Sequence, residues 1–531
     1  MASLKRSLAS FSFCAVLSLY CSPWLTALAQ SPDSLAARIQ KIVERPEYAH
    51  ANFGIEFYAL DTGQVLYSLN ANKMFTPAST TKTLTEGTLL AELGPDFRFH
   101  TKVFHTGRLD SKGRLKGDLI LVASGDPNLS NRIQPDDTLA FQDEDHSYGG
   151  PAVGGDPLAV IKQLAKDIRA KGVRRIDGRV FIDTSLFPDG PREGGTNVVM
   201  SSIIVNDNLI DIVGTPGAKI GDLASLQISP QTSYANFVNH VITSSAESKP
   251  IFENADFLSN PDGTVTITLA GSIPLGGPPQ TVSVPVPSPT LFAQTVFRET
   301  LAANGIQLKR PLVISQPDFQ PLSSAYTPEN LLAEHISPPL KEEIKITLKV
   351  SQNLHASMGQ LLLGSILGHD PVNPIDKGFE IERDFLRHAN LDLSGASQGD
   401  GEGGDWADLF SPDFMCHYLA YWTSRPDFDI FFHALPILGK DGTLAKIQVN
   451  SPAAGHVFAK TGTYDSDDKL NNKIMLNGKG LVGYVFTKSG RKLVFAAYVN
   501  HVSLPDDPEA SQEVAGQALG EIAAAAYDAQ L

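Results

Sequence analysis

Ser79 and Lys82 stand three residues apart in the stretch Pro77-Ala78-Ser79-Thr80-Thr81-Lys82. Leu84, Leu89, Leu90 and Leu93 follow at loosely helical spacing, and Gly94-Pro95 ends the run, which predicts a helix from Thr80 to Leu93. On a helix, positions i and i+3 share a face, with Cβ atoms roughly 5–6 Å apart. The Lys82 amine then reaches the Ser79 hydroxyl. A serine hydroxyl is a poor nucleophile until a base removes its proton. A lysine can be that base when burial and nearby positive charge lower its pKa. Unpaired N–H groups at a helix start favour the negative charge that develops on attack. The chemistry on offer is covalent catalysis through serine. Taken alone, Ser-x-x-Lys fits equally well an ordinary helix start with Ser79 as cap and Lys82 as a solvated charge. The reading depends on partners elsewhere in the chain.

Two partners stand further on. Ser351-Gln352-Asn353 falls between predicted helices Pro339 to Val350 and Leu354 to Leu367. Ser and Asn also favour plain turns, so an interhelix turn is the alternative there. Lys460-Thr461-Gly462, followed by Thr463, ends a predicted strand that starts at His456. Gly462 lets a substrate approach the backbone closely. His355, two residues past Asn353, is a second possible base, but a Ser/Lys pair already supplies one; it reads as a packed or surface histidine.

The elements that must position these residues lie at both ends of the chain. An amphipathic helix (Ser34 to Glu44) precedes two short strands, Phe53 to Leu60 and Gln64 to Leu69, joined by Asp61-Thr62-Gly63. Towards the C-terminus come a helix at Pro412 to Ser424 and strands at Leu481 to Phe486 and Lys492 to Asn500. A last helix follows, capped by Asp507 with Pro508 in first position. Between the two ends, about Phe97 to Tyr326 is Gly/Pro-punctuated and largely β-like, with helices expected at Pro157 to Ala170 and Thr290 to Ala303. Pro274 to Pro289 is expected to be a linker or crossing. The middle segment shows no His/Cys/Asp/Glu cluster with metal spacing and no phosphate-cradling glycine loop, so neither metal nor cofactor is expected.

The trio Ser-x-x-Lys, Ser-x-Asn, Lys-Thr-Gly, in that order, is shared by penicillin-binding proteins and class A β-lactamases. The chain more specifically resembles the class C low-molecular-mass penicillin-binding proteins, serine D-Ala-D-Ala carboxypeptidases with large insertions after the nucleophile helix. Further stretches carry the likeness: Ser124-Gly125-Asp126-Pro127, Ser337-Pro338-Pro339-Leu340, Asp441-Gly442-Thr443-Leu444, Pro452-Ala453-Ala454-Gly455 and Ala459 to Thr463. The resemblance implies an α+β fold: a transpeptidase-like domain with an antiparallel sheet flanked by helices, carrying one or two largely β inserts. The expected catalytic domain is residues 30–96 and 327–531, one inserted domain is 97–190 and 272–326, and a second is 191–271. By the same resemblance Ser79, Lys82 and Ser351 are catalytic, with Ser351 passing a proton to the leaving amine. Asn353 holds Lys82 and the substrate amide. Lys460, with Thr461 and Thr463, binds the substrate's terminal carboxylate, Gly462 joins the substrate-binding set by letting substrate approach the backbone, and the backbone N–H groups of Ser79 and Thr463 form the oxyanion hole. Peptidoglycan stem peptides are the implied substrates, with endopeptidase action as a possible companion, and β-lactams are implied covalent ligands.

Two stretches depart from the family pattern. Asp400-Gly401-Glu402-Gly403-Gly404-Asp405 stands where the family usually has DGSG, and Tyr464 to Lys479 is a longer, charged connection. Two competing readings are a β-lactamase and a non-catalytic cell-wall-binding protein of the same fold. Against the first, no Glu-x-x-Asn of the class A type lies between Asn353 and Lys460, and the chain is far longer.

Composition sets the remaining bounds. The 531 residues are 42% hydrophobic and 19% charged, which describes a globular protein with ample core. The formal net charge of −15 argues against nucleic acid or an anionic membrane as partner. Lys5 and Arg6, an apolar run from Leu8 to Leu19, and Ala27-Leu28-Ala29 form an export signal with cleavage after Ala29, pointing to the periplasm or cell envelope. No later apolar run is long enough to span a membrane. Cleavage leaves Cys416 as the sole cysteine, so no internal disulfide is expected.

Overall fold

The computed structural model describes residues 34–530 apart from 144, 149, 151, 152 and 508. The expected leader, residues 1–29, and Pro508 lie outside the described residues.

Five strands make the central sheet: β1 (Asn52–Ala59), β2 (Gln64–Leu69), β3 (Val457–Asp468), β4 (Lys473–Phe486) and β5 (Lys492–Asn500). Their order is β2-β1-β5-β4-β3, antiparallel throughout, and Val502–Leu504 pairs with the far end of β4. The first strand therefore sits between its own hairpin partner and a strand from the far end of the chain, in register Asn52 with Asn500.

Side chains alternate across a strand, and here both faces are covered. Ile55, Phe57, Phe495, Ala497 and Val499 face α1 (Leu35–Val43) and the C-terminal helix, burying Ile39, Leu519 and Ile522. Val494, Ala496 and Tyr498 face the other layer. That layer holds α2 (Lys82–Leu93), α3 (Leu340–Val350) and α4 (Pro412–Trp422), with Leu90, Leu348 and Trp422 fully buried. The architecture is α+β, as expected. Asp507 caps the C-terminal segment by accepting the Glu509 N–H (3.0 Å), and the regular part of that helix is Gln517–Asp528.

The insert carries a sheet of Leu331–Ile336, His100–His105, Leu119–Val122 and Val180–Asp183, in that order. Helices Ala159–Ala170 and Pro289–Ala303 pack beneath it. Three further small sheets complete the insert among the described residues. Three observations change the expected layout. Leu331–Ile336 pairs with the insert, so strand pairing crosses the 326/327 boundary. Val265–Pro274 runs unbroken through the 271/272 boundary. Gln280–Pro285, expected as a linker, is a strand paired with Leu209–Thr215. One apolar core joins Leu119, Ile210 and Ile267, so the two expected inserts share their interior.

Candidate active site

The nucleophile stretch does not start as an α-helix. Ala78–Thr81 form a 3-10 turn, and α2 begins at Lys82. Ser79 is therefore not a side-chain cap. Ala78 sits at φ 47°, a conformation costly for a residue with a Cβ, and such strain clusters at active sites. The loop above it fits only because Gly403 is glycine: at φ 91°, a Cβ there would lie 1.9 Å from the Ala78 carbonyl oxygen.

Lys82 is wholly buried beneath the half-buried Ser79. Its Nζ lies 2.8 Å from Ser79 Oγ, 2.7 Å from Asn353 Oδ1 and 2.9 Å from the Glu402 main-chain oxygen. Burial lowers the Lys82 pKa, opposed by the charges of Glu402, Asp400, Glu193 and Glu86. A neutral amine has two hydrogens and one lone pair. Two of the three neighbours, Asn353 Oδ1 and the Glu402 carbonyl, can only accept. In the neutral form they would take the two N–H groups and leave the lone pair facing the Ser79 hydroxyl; in the charged form the third N–H donates to Ser79 Oγ.

Ser351 ends α3 in the left-handed conformation, φ 61°, which turns the chain sharply before Asn353 opens the next short helix, Asn353–Ser357. The expected interhelix turn is present, and it carries Ser351 to β3. Ser351 Oγ lies 2.8 Å from Lys460 Nζ, and both side chains are buried. Lys460 also donates to the Thr461 carbonyl (2.8 Å). Its pKa is pushed well down, by burial first and then by the charges of Lys82 and Lys479. Thr461 Oγ1 is 2.7 Å from Thr443 Oγ1. Gly462 brings β3 against the nucleophile turn: a Cβ there would meet the Pro77 oxygen at 2.3 Å and Ser79 N at 3.1 Å. Thr463 is exposed, and its Oγ1 accepts from Lys479 Nζ at 2.6 Å. Three chain segments, around residues 79, 351 and 460, thus meet in one place.

The chain matches the family model for D-Ala-D-Ala carboxypeptidase 3 (S13) over residues 35–519. It belongs to that family. The carboxypeptidase is 27% identical over 482 residues to the D-alanyl-D-alanine carboxypeptidase of Actinomadura sp. (strain R39), covering 85% of this chain and 82% of that one. It is 21% identical over 469 residues to D-alanyl-D-alanine carboxypeptidase DacB of Haemophilus influenzae, covering 86% and 87%. Its fold is that of penicillin binding protein 4 (dacB) from H. influenzae, with TM-score 0.69 at 20% identity over 92% of this chain and 97% of that one. The class C penicillin-binding protein resemblance is borne out, and with it a serine-type D-Ala-D-Ala carboxypeptidase.

Sequence reasoning missed several neighbours of this constellation. The Glu402 carbonyl joins through its main chain, which no residue-type pattern displays. The Glu402 carboxyl turns away to accept the Gly194 N–H of the insert (2.6 Å), and burial raises its pKa to about 7. Asp400 accepts the N–H groups of Glu402 and Gly403, and Asp405 accepts that of Ala407. The carboxylates of this loop make hydrogen bonds to main-chain N–H groups that hold its backbone. Gly195 of the insert packs on Asn353, where a Cβ would lie 2.0 Å from Nδ2. Tyr464 to Lys479 is not a loose connection: β3 and β4 extend through it as a hairpin.

His355 is buried with no bond to Ser79. Its Nε2 pairs with Asp207 (2.9 Å) and its Nδ1 with Glu343 (2.7 Å). Burial would lower its pKa, but the two carboxylates win and hold it up at about 10. It is a charged structural residue, not a base.

Proposed function

We propose that the carboxypeptidase removes the terminal D-alanine of peptidoglycan stem peptides through an acyl-enzyme on Ser79. Lys82 takes the Ser79 proton as Oγ attacks the penultimate D-alanine carbonyl. The oxyanion is held by the N–H groups of Ser79 and Thr463, worth about 3–4 kcal/mol of barrier per donor in comparable sites. Ser351 relays the proton to the departing amine, Asn353 holds Lys82 and the substrate amide, and Lys460, Thr461 and Thr463 receive the terminal carboxylate. Gly462 keeps that strand close to Ser79. Water then attacks the ester, releasing the shortened peptide and returning the proton to Ser79.

The observation that carries this reading is the three-way bracket on Lys82, which sets its Nζ 2.8 Å from Ser79 Oγ with two acceptors for its other N–H groups. The Lys82–Lys460 arrangement supports it further. Two buried amines this close resist being charged together, and a substrate carboxylate at Lys460 stabilises the charge there and favours neutral Lys82. β3 is the last strand of the sheet, bridged on its outer side by Ile437 at Phe458; past that bridge no strand among the described residues pairs with it, so an extended peptide can add there. β-Lactams are ligands by the same logic, since a strained amide beside a carboxylate mimics the substrate terminus; a solved structure of the H. influenzae protein is complexed with a β-lactam. The leader-like N-terminus supports export from the cytoplasm; among the described residues no helix is long and apolar enough to cross a membrane.

The test is intact-protein mass measurement after exposure to penicillin, together with release of D-alanine from a D-Ala-D-Ala peptide. A persistent single adduct on wild type and none on Ser79→Ala is expected. Rapid penicillin turnover with no D-alanine release would make it a β-lactamase, and neither adduct nor release would leave a binding protein. Cleavage of cross-linked dimers in the same assay reads endopeptidase action.

A further inference from the structure

Lys479 is the fourth polar residue of the carboxylate-binding corner, and nothing in the trio of motifs assigns it. It lies on β4 directly across from Thr463 on β3. Lys479 is only 6% exposed, an unusual place for an ammonium, and its side chain runs against the helical segment Ser511–Gly516 at Gly516. Its Nζ donates to Thr463 Oγ1 at 2.6 Å. The acidic charge it feels is that of Asp465, and its own charge acts on Lys460.

A threonine hydroxyl has one proton to give and two lone pairs to receive. An ammonium has only hydrogens to offer, so Thr463 Oγ1 must be the acceptor towards Lys479. The Thr463 O–H is then free to point away from Lys479, and Thr463 is exposed to solvent. An acceptor role on one side fixes a donor role on the other. Were Lys479 replaced by an apolar residue, the hydroxyl could rotate among several partners and would present a lone pair to an incoming anion as readily as a proton.

We propose that Lys479 is a positioning residue for carboxylate recognition, locking the Thr463 hydroxyl as a donor and adding a second buried positive charge behind Lys460, so that the enzyme selects peptides and β-lactams ending in a free carboxylate. The inference rests on the assignment of Lys460, Thr461 and Thr463 to the substrate terminus. Burial, opposed by the charge of Asp465, brings the Lys479 amine down to about 8, so it is still mainly charged at neutral pH.

The experiment compares a D-Ala-D-Ala peptide with its C-terminal amide on wild type, Lys479→Met, Thr463→Val and the double variant, with thermal unfolding as the folding control. Binding of the carboxylate is shared by ground and transition states, so its loss raises KM and leaves kcat. Lys479→Met is expected to raise KM for the free acid about tenfold, as for loss of a charge-assisted contact, and to leave the amide within about twofold. In the Thr463→Val background the same change should add less than about twofold. Lys479→Gln, which keeps length and a neutral donor, replaces the Met variant if that does not fold. Equal losses on acid and amide, a fall in kcat at constant KM, or full additivity in the double variant would each overturn the proposal. A wild type that takes up no penicillin at Ser79 would instead overturn the acyl-enzyme reading on which it rests.

Discussion

At Lys82 the chemistry is decided by counting hydrogens. Two acceptors hold two N–H groups, and removing either frees the amine to turn from Ser79. Asn353→Ala should therefore slow penicillin acylation by about 100-fold, the usual scale for a misdirected general base, without changing the site of the adduct; stopped-flow labelling measures it. Unchanged acylation would mean that Asn353 serves substrate alone. Ser79, Lys82, Ser351, Asn353 and Lys460 were legible because each is a side chain in a spaced motif. The Glu402 carbonyl was not, since any residue type supplies one. Lys479 sat in a stretch marked only as charged. His355 was read as packed or surface; it is packed, and its charge follows from Asp207 and Glu343, which lie far from it in sequence.

Among the elements, the close passage of β3 over the nucleophile turn matters most. Gly462→Ala places a methyl against main-chain atoms of Pro77 and Ser79, which cannot move as a flexible side chain would. We expect a loss of at least about 100-fold in acylation, comparable to loss of an oxyanion donor, with the unfolding temperature read alongside to separate a shifted strand from a lost fold. Most helices were readable from apolar spacing. The β3–β4 hairpin was not, because alternation is the signal for a strand and residues 463–467 are exposed without alternation. The strand ending at Pro274 reads from the sequence as a strand only from Asp262 to Ala270, and the one ending at Pro285 reads as part of a linker or crossing. Proline at Pro274 and Pro285 signals a break, yet both residues pair within their sheets as the last residue of a strand.

Across the whole molecule, a buried charged network ties insert to catalytic layer. Asp207 accepts from Arg132 (3.0 Å) and pairs with His146 (2.7 Å) and His355 (2.9 Å); His146 also meets Asp211 at 2.8 Å. Asp207 and its neighbours Asn206 and Asn208 all hold positive φ, near 50°, so the network fixes a strained corner. Removing one partner of a buried pair typically costs about 3–5 kcal/mol, and Asp207→Asn should destabilise on that scale by denaturant unfolding. Linkage gives a pH signature. His355 is raised from 6.5 to about 10, so its contribution is complete below pH 6.5 and lost as pH rises to about 10. Over that window it steepens the alkaline fall in stability by up to about 1.4 kcal/mol per pH unit. His355→Gln should be less stable at pH 6.5 and show a shallower fall above it; equal slopes would place the charge elsewhere. Asp207, held well below the usual carboxylate range, contributes in the opposite sense and is lost only in strong acid. None of these long-range pairs was readable in advance, since the partners belong to separate elements of insert and core.

The register of Asn52 with Asn500 has a consequence for synthesis. A ribosome releases the nucleophile early, but the neighbour that completes its platform emerges almost last. Until then Ser79 has no neighbouring Lys460, and the early hairpin waits with one edge open while the middle of the polypeptide acquires its own interior. A truncated product ending before β5 would thus be inert towards penicillin and prone to pair its bare edge with another chain.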